Sequence, residues 1–261
     1  MNTFTNKGIV FEYETMGEGT PFLFLHGLGG GIGQIKGTFI ETPGIQLITI
    51  NQQGHGGSGV SWDTFGFDAL ADDAVALLDH LGIETAVIGG ISMGAAVSVN
   101  IAVRYPERVK ALLLIRNAWT CVPMAPDRIL AYADMGRCLQ EGGEELFKTT
   151  GGWDIVREPS AYTRNAFLLP FGEEPNIRNW QKFCILPSMA PIPDEKCLEK
   201  IKVPVHIGAC RNDFCHPYGY GVWYHEKIAG SVLTEIPDKD TDGKRHKQMI
   251  NDVIKELIIG R

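Results

Sequence analysis

Residues 86–103 read AVIGGISMGAAVSVNIAV, a stretch of eighteen residues without a charged side chain. Its length would suit a membrane span, but it contains three glycines, two serines and an asparagine. At its centre lies the pattern G-x-S-x-G, from Gly90 to Gly94. Residues 85–91 predict a strand and residues 93–104 predict a helix. The stretch therefore predicts a buried strand, a sharp turn that carries Ser92, and a buried helix.

Ser92 in this turn is a candidate nucleophile. The chain must turn sharply from strand to helix, so the residues two positions away on either side must be small, as Gly90 and Gly94 are. The turn lifts the Ser92 hydroxyl above the sheet, where the N–H groups of the helix N-terminus favour a developing negative charge. An inert serine in a turn of small residues is the alternative interpretation.

The segments on either side of this stretch alternate between strand and helix. Further strands are predicted at residues 9–15, 22–25, 45–50, 109–115, 203–208 and 232–236, and further helices at residues 67–81, 221–229 and 247–258. Such alternation predicts an α/β fold with a mostly parallel central sheet flanked by helices.

The alternation is interrupted between residues 120 and 200. This segment holds 8 of the 14 prolines and gives no convincing strand signal. Short helices are predicted at residues 127–141, 144–149, 160–169 and 177–186. We therefore expect residues 1–119 and 201–261 to form the core, with residues 120–200 as a helical cap inserted in it.

Composition narrows the class of protein and its partners. The 261 residues carry 24 basic and 31 acidic side chains, a net charge of −7, which disfavours a nucleic-acid partner. Residues 1–11 lack the basic and apolar regions of a signal peptide, and the 6 cysteines have no C-x-x-C spacing. We therefore expect a cytoplasmic protein with reduced thiols and no membrane partner.

A nucleophilic serine needs a base, and the base needs an acid that orients it. The G-x-S-x-G turn is typically accompanied by an acid and then a histidine later in the chain, each beyond a later strand. Asp213 follows the strand at residues 203–208, and His246 lies in the predicted loop before the last helix. His216, three residues after Asp213, is expected to be too close to it. The prediction is therefore Ser92 as nucleophile, Asp213 as orienting acid and His246 as base.

Two backbone N–H groups are candidates for stabilising an oxyanion beside Ser92. The glycine-rich residues 26–31 follow the strand at residues 22–25, and their glycines allow an exposed backbone that faces the site. We assign the two donors to the backbone N–H groups of Leu28 and Met93. A flexible surface loop is the alternative interpretation of residues 26–31.

These residues resemble the α/β-hydrolase superfamily, in particular its cap-bearing branch of single-domain esterases, lactonases and lipases. The matching positions are His26 and Gly27, residues 90–94, Asp213 and His246. The core looks closest to enol-lactone hydrolases and similar small-molecule hydrolases, whereas the cap matches no named group. The resemblance implies the α/β-hydrolase fold and hydrolysis through a Ser-His-Asp triad.

Two stretches depart from the family's pattern. Residues 51–58 read NQQGHGGS where the family commonly has D-x-R-G-x-G-x-S, so two charges beside the pocket are missing. Arg245 precedes His246 where the family usually has glycine, and the loop at residues 237–246 is longer and more charged than usual. We expect His246 to need cap closure or a ligand for its positioning.

Two other motifs are interpreted as loops without a cofactor or metal. Residues 54–59 satisfy G-x-G-x-x-G, but no helix opens at the third glycine as a dinucleotide site requires. Residues 238–243 copy half of a calcium loop, but position 12 is Met249 instead of glutamate. We expect no cofactor and no metal.

The sequence thus predicts a cofactor-free serine hydrolase that cleaves a small carboxylic ester or lactone through an acyl-enzyme. A carbon–carbon bond hydrolase or a perhydrolase would use the same triad. A non-catalytic small-ligand receptor on the same fold is the alternative from another class. The expected partner is a small acyl substrate.

Overall fold

The computed structural model describes residues 1–260, and an eight-stranded sheet forms their centre. The strands are β1 Asn2–Asn6, β2 Ile9–Met16, β3 Gly19–Leu25, β4 Gly44–Ile50, β5 Ala86–Ile91, β6 Val109–Ile115, β7 Val205–Ala209 and β8 Val232–Glu235. Their order across the sheet is β1-β2-β4-β3-β5-β6-β7-β8. The β1–β2 and β2–β4 pairs are antiparallel, and the other pairs are parallel. The predicted α/β class and mostly parallel sheet are confirmed.

Helices cover both faces of the sheet and also fill the segment between β6 and β7. They are α1 Ile32–Thr38, α2 Phe67–His80, α3 Met93–Arg104, α4 Pro126–Glu141, α5 Gly143–Phe147, α6 Gly151–Val156, α7 Ala161–Leu168, α8 Glu174–Arg178, α9 Gln181–Ile185, α10 Tyr218–Lys227 and α11 Lys239–Ile259. Short 3₁₀ segments lie at Pro106–Arg108, Leu169–Gly172, Leu186–Ser188 and Glu195–Lys200. None of the helices within residues 1–260 is both long and apolar enough to cross a membrane.

The alternation of side chains along the buried strands divides the core into two layers. Leu112 and Leu114 of β6 face the layer that contains α2, α3 and α10, whereas Leu113 and Ile115 face the layer that contains α1 and α11. Successive side chains of a strand point to opposite faces, so a strand buried on both faces must be apolar throughout. The near-continuous apolar runs in the sequence follow from this burial.

The predicted helical insertion is present between β6 and β7, and this part of the described chain contains no strand. Helix α4 packs against α5, α6 and α9, and the side chains between them form a separate apolar cluster that includes Phe147, Phe167 and Phe183. The limits of the cap at residues 120 and 200 stay a prediction.

Three elements lie outside the sequence prediction. Strand β1 reads NTFTN and buries only Phe4, so its apolar signal is too weak to identify from sequence. Helix α1 contains Gly33 and Gly37, and helix α6 begins with a glycine pair, which hides their helical character. These elements depend on packing against the rest of the fold.

Candidate active site

The turn at Ser92 has the geometry that the G-x-S-x-G pattern predicts. Ser92 lies between β5 and α3 with φ of 58° and ψ of −113°, in a region that residues with a side chain rarely occupy. A Cβ atom at Gly90 would overlap the backbone of Gly94, and a Cβ atom at Gly94 would overlap the carbonyl of Leu25. Both positions therefore require glycine, and the close approach of β5, α3 and β3 holds Ser92 in its strained conformation.

Ser92 lines a cavity of about 280 Å³ between the sheet and the helical insertion. The walls are mostly apolar, and the insertion contributes Tyr132, Met135, Phe167 and Phe183 to them. Ligand sites in proteins commonly combine apolar walls with a few polar groups. The cavity is therefore suited to a small molecule whose reactive group lies against Ser92.

The loop after β3 brings Leu28 to the same cavity. The N–H groups of its neighbours are used elsewhere, since Gly27 donates to Gln34 Oε1 at 2.7 Å and Gly29 donates to His55 Nε2 at 3.1 Å. Within residues 1–260 the Leu28 N–H has no hydrogen-bond partner, and Leu28 lines the cavity. Met93 is the first residue of α3, where backbone N–H groups lack helical acceptors. Both predicted oxyanion donors thus flank Ser92 or its cavity.

Buried polar side chains hold the neighbouring loop at residues 51–58. His26 Nε2 accepts from the N–H of Gln52 at 3.0 Å, and Lys182 Nζ donates to the carbonyl of Gly54 at 2.6 Å. Burial lowers the pKa of His26 to about 4, so its ring is neutral near pH 7 and Nε2 can accept. The loop at residues 51–58, which departs from the family's charged pattern, is held by these contacts to His26 and Lys182.

Asp213 lies after β7, as predicted, and both of its carboxylate oxygens are engaged. Oδ2 accepts from Nε and Nη2 of Arg116, each at 2.6 Å. Oδ1 accepts from Nδ1 of His216 at 2.8 Å and from its backbone N–H at 3.2 Å. Burial by itself would raise the pKa of Asp213, but its interactions and hydrogen bonds with His216 and Arg116 outweigh burial and hold this pKa below its ordinary value. Asp213 is therefore an ionised acceptor near pH 7.

The structure places His246 differently from the prediction. It lies within α11 instead of in a loop, because the helix begins at Lys239 and continues past a kink at Asp242. His246 Nδ1 contacts the carbonyl of Pro237 at 2.7 Å, and its buried Nε2 has no partner within residues 1–260. Neither nitrogen is hydrogen-bonded to Asp213, and His246 is not among the residues that line the cavity. Ser92, Asp213 and His246 are thus not joined in the arrangement expected of a triad.

His216 contacts Asp213 although they lie only three residues apart in the sequence. A separation of three residues lets the loop fold back, so that the backbone and the ring of His216 reach the same carboxylate oxygen. His216 lines the cavity together with Ser92, whereas Asp213 lies behind it. The signal that could have identified His216 is its position in the loop at the carboxyl end of β7, where ligand-contacting side chains of α/β sheets collect.

Arg116 is the other residue of the site that the sequence interpretation did not assign. It follows β6 with φ of 53° and lies buried at the cavity wall. Besides Asp213, its guanidinium contacts the hydroxyl of Tyr162, with Nη1 donating at 3.0 Å. Within residues 1–260, no three His, Cys, Asp or Glu side chains group in a way that could hold a metal ion.

Comparison with known proteins agrees with this architecture. The profile of the alpha/beta hydrolase fold family matches residues 20–137. The chain is 30% identical over 273 residues to the AB hydrolase superfamily protein YisY of Bacillus subtilis, and the match covers 97% of each protein. It is 38% identical over 111 residues to the dihydrolipoyllysine-residue acetyltransferase component of the acetoin cleaving system of Pseudomonas putida, which is 41% of this chain but only 29% of that protein.

Among solved structures, the enol-lactonase from Burkholderia xenovorans has the same fold. It superposes with a TM-score of 0.78 at 18% identity, covering 99% of this chain and 100% of that one. The near-complete match to the Bacillus subtilis protein, the sheet order and the strained serine turn lead to one conclusion: the chain belongs to the α/β-hydrolase superfamily.

Proposed function

We propose that the protein is a cofactor-free serine hydrolase that cleaves a small carboxylic ester or lactone. The observation that carries the proposal is Ser92, held with φ of 58° on a turn between β5 and α3 and lining a cavity with Leu28. An inert serine would not require a strained backbone or two glycines that no other residue can replace. The turn aims the hydroxyl at whatever occupies the cavity.

In the proposed reaction Ser92 Oγ attacks the substrate carbonyl carbon while a histidine accepts the hydroxyl proton. The carbonyl oxygen becomes an oxyanion, which the backbone N–H groups of Leu28 and Met93 stabilise. Collapse expels the alcohol, which takes the proton from the histidine, and leaves an acyl-Ser92 ester. Water then attacks the ester and the histidine accepts a proton from it. The bond between the acyl carbon and Ser92 Oγ breaks, the histidine returns the proton to Oγ, and the acid is released.

The acid that orients the histidine is proposed to be Asp213, because Arg116 keeps it ionised at the cavity wall. The sequence assigns the base to His246, and that assignment stays a prediction. The contact of His246 Nδ1 with the carbonyl of Pro237 gives this assignment no support.

The shape of the cavity supports a small acyl substrate. Its volume of about 280 Å³ lies near the lower end of the range for ligand pockets, roughly 300–1,000 Å³. Apolar walls favour an uncharged acyl or alkyl group, and the lining side chains of Gln34 and Asn165 offer polar contacts beside it. We therefore expect short acyl chains to be preferred over long ones.

The first experiment compares hydrolysis of p-nitrophenyl esters, from acetyl to dodecanoyl, by the wild type and the Ser92→Ala variant. The variant should lose activity by about 10³-fold or more, because it has no nucleophile. The matched control is Ser98→Ala, since Ser98 is a buried serine of the same helix whose hydroxyl donates to Gly94. This control should keep its activity.

Each other outcome points to a different conclusion. Equal activity of the wild type and Ser92→Ala would overturn Ser92 as nucleophile. An inactive wild type would exclude simple ester hydrolysis, and lactones, diketones and acetate with peroxide would then separate the remaining chemistries. Tight binding of a small ligand without turnover would indicate the receptor alternative.

A further inference from the structure

We propose that His216, and not His246, is the general base that serves Ser92. This inference rests on the proposed function, since it names the base of the same reaction. It differs from the expected arrangement because acid and base then lie three residues apart on one loop, between β7 and α10.

The first line of argument is the orientation of the His216 ring. Asp213 Oδ1 contacts Nδ1 at 2.8 Å, so an ionised Asp213 holds the proton of a neutral imidazole on Nδ1. The opposite ring nitrogen, Nε2, then carries the lone pair and faces away from the carboxylate. This is the tautomer that a base in a serine hydrolase needs.

The second line is location. His216 and Ser92 line the same cavity, and the side chain of His216 is buried against Asp213 and Arg116 at its wall. A base must come within hydrogen-bond reach of the proton that it accepts, and His216 is a histidine that shares a cavity with Ser92. His246 is absent from the residues that line this cavity.

The third line is the anchoring of Asp213. Arg116 donates twice to Oδ2, which leaves Oδ1 to His216. The backbone N–H of His216 also donates to Oδ1, so both the loop and the ring are held against the same carboxylate oxygen. Asp213 Oδ1 therefore contacts His216, whereas Nδ1 of His246 contacts the carbonyl of Pro237.

The proposed step transfers one proton. As Oγ of Ser92 forms a bond to the electrophilic atom, its proton moves to Nε2 of His216, and the resulting imidazolium is stabilised by Asp213. The leaving group departs with the bonding electron pair and receives that proton. No further reactant is needed until water cleaves the acyl-enzyme.

The test uses a fluorophosphonate probe, which reports an activated serine without knowledge of the natural substrate. Ser92 Oγ attacks phosphorus, fluoride leaves, and mass spectrometry locates the label. Labelling rates are compared for the wild type, His216→Asn and His246→Asn. Asparagine places an amide nitrogen where Nδ1 was, so the contact with Asp213 or Pro237 can persist while Nε2 is lost. The control is His225→Asn, which removes a histidine on α10 that contacts Ser231.

We expect His216→Asn to lower the labelling rate by about 10²-fold or more, the usual contribution of general base catalysis. His246→Asn and His225→Asn should label within a few-fold of the wild type. A large loss in His246→Asn with an unchanged His216→Asn, each folded by circular dichroism, would overturn the inference. Absence of label on Ser92 in the wild type would instead overturn the proposed function.

A second measurement separates a base from a residue that only supports the loop. His216→Ala opens space in the cavity wall, and added imidazole should restore labelling in proportion to its concentration. A variant whose defect is misfolding would not respond to imidazole. Failure of rescue in a His216→Ala protein that is folded by circular dichroism would count against His216 as base.

Discussion

Two residues at the carboxyl edge of the sheet occupy the left-handed region of backbone conformation without being glycine. Ser92 follows β5 with φ of 58°, and Arg116 follows the neighbouring β6 with φ of 53°. Such conformations cost roughly 1–2 kcal/mol per residue, because Cβ approaches the following carbonyl. Both side chains reach the same cavity wall, so the strain is concentrated where the proposed chemistry occurs.

Relief of this strain gives a prediction for Ser92. Ser92→Gly should unfold at a higher temperature than Ser92→Ala, with a difference of about 1 kcal/mol in the free energy of unfolding, because only glycine accepts φ of 58° without strain. The Ser92 side chain makes no capping hydrogen bond to α3, so its removal costs the helix nothing. Denaturant unfolding of the two inactive variants measures the difference. A less stable glycine variant would show that the turn is not strained.

At the scale of elements, the approach of α3 to the sheet decides the geometry of the serine turn. Gly94 lies in the first turn of α3 against the carbonyl of Leu25 at the end of β3, with no room for a Cβ atom. Helix α1, by contrast, leaves Gly37 exposed, and a Cβ atom there would meet nothing within 4 Å. Packing therefore requires glycine at position 94 of α3, whereas position 37 of α1 has room for a larger residue.

The matched variants are Gly94→Ala and Gly37→Ala. Gly94→Ala should destabilise the fold by about 1–3 kcal/mol or more, because the new methyl group meets backbone that cannot move away. Gly37→Ala should stabilise it by about 0.5–1 kcal/mol, because alanine restricts the unfolded chain more than glycine. Urea unfolding followed by circular dichroism measures both. Equal effects of the two substitutions would contradict this account of the turn.

At the scale of the whole molecule, the helical insertion is tied to the core beside the cavity. Lys182 of α9 is fully buried and donates to the carbonyl of Gly54, and Asn176 of α8 donates to the carbonyl of Gly29 at 3.0 Å. These contacts connect the insertion to the two loops at the carboxyl edge of the sheet. Burial lowers the pKa of Lys182 to about 7, with the charge of Arg178 adding to the effect and that of Glu173 opposing it.

Because the pKa of Lys182 is lowered, the contribution of this buried lysine to the free energy of unfolding depends on pH. Between pH 7 and the ordinary lysine pKa of about 10.4, the unfolded chain binds a proton that the folded chain does not. The free energy of unfolding must therefore rise with pH in this interval. Relative to Lys182→Met, the wild type should gain about 1 kcal/mol or more from pH 7 to pH 9.

Urea unfolding of the two proteins at pH 7, 8 and 9 checks this prediction. The 6 cysteines are common to both proteins, so their ionisation cancels in the comparison. His26 and His55 face Lys182, and burial lowers the pKa of each, so both stay neutral throughout the interval. Parallel pH profiles of the two proteins would show that Lys182 does not change its charge there.

The sequence predicts the parallel strands of the sheet, the serine turn and the presence of a helical insertion. These features depend on local signals: apolar runs in strands buried on both faces, helical spacing, and glycines that no other residue can replace in a tight turn. Residues 90–94 illustrate this, because the backbone geometry of the turn requires glycine at positions 90 and 94. The order of elements also predicts that Ser92, Leu28 and Asp213 lie at the carboxyl edge of the sheet.

Which histidine contacts Asp213 depends on long-range packing. Residues 237–246 predict a loop because their charges and Gly243 carry no apolar periodicity, yet α11 begins at Lys239 and continues past a kink at Asp242. His246 is thereby held against Pro237, while Arg116 and His216 share the carboxylate. Hydrogen bonds between residues 97 positions apart, as for Arg116 and Asp213, leave no local pattern in a sequence, because they depend on how distant strands are placed beside each other.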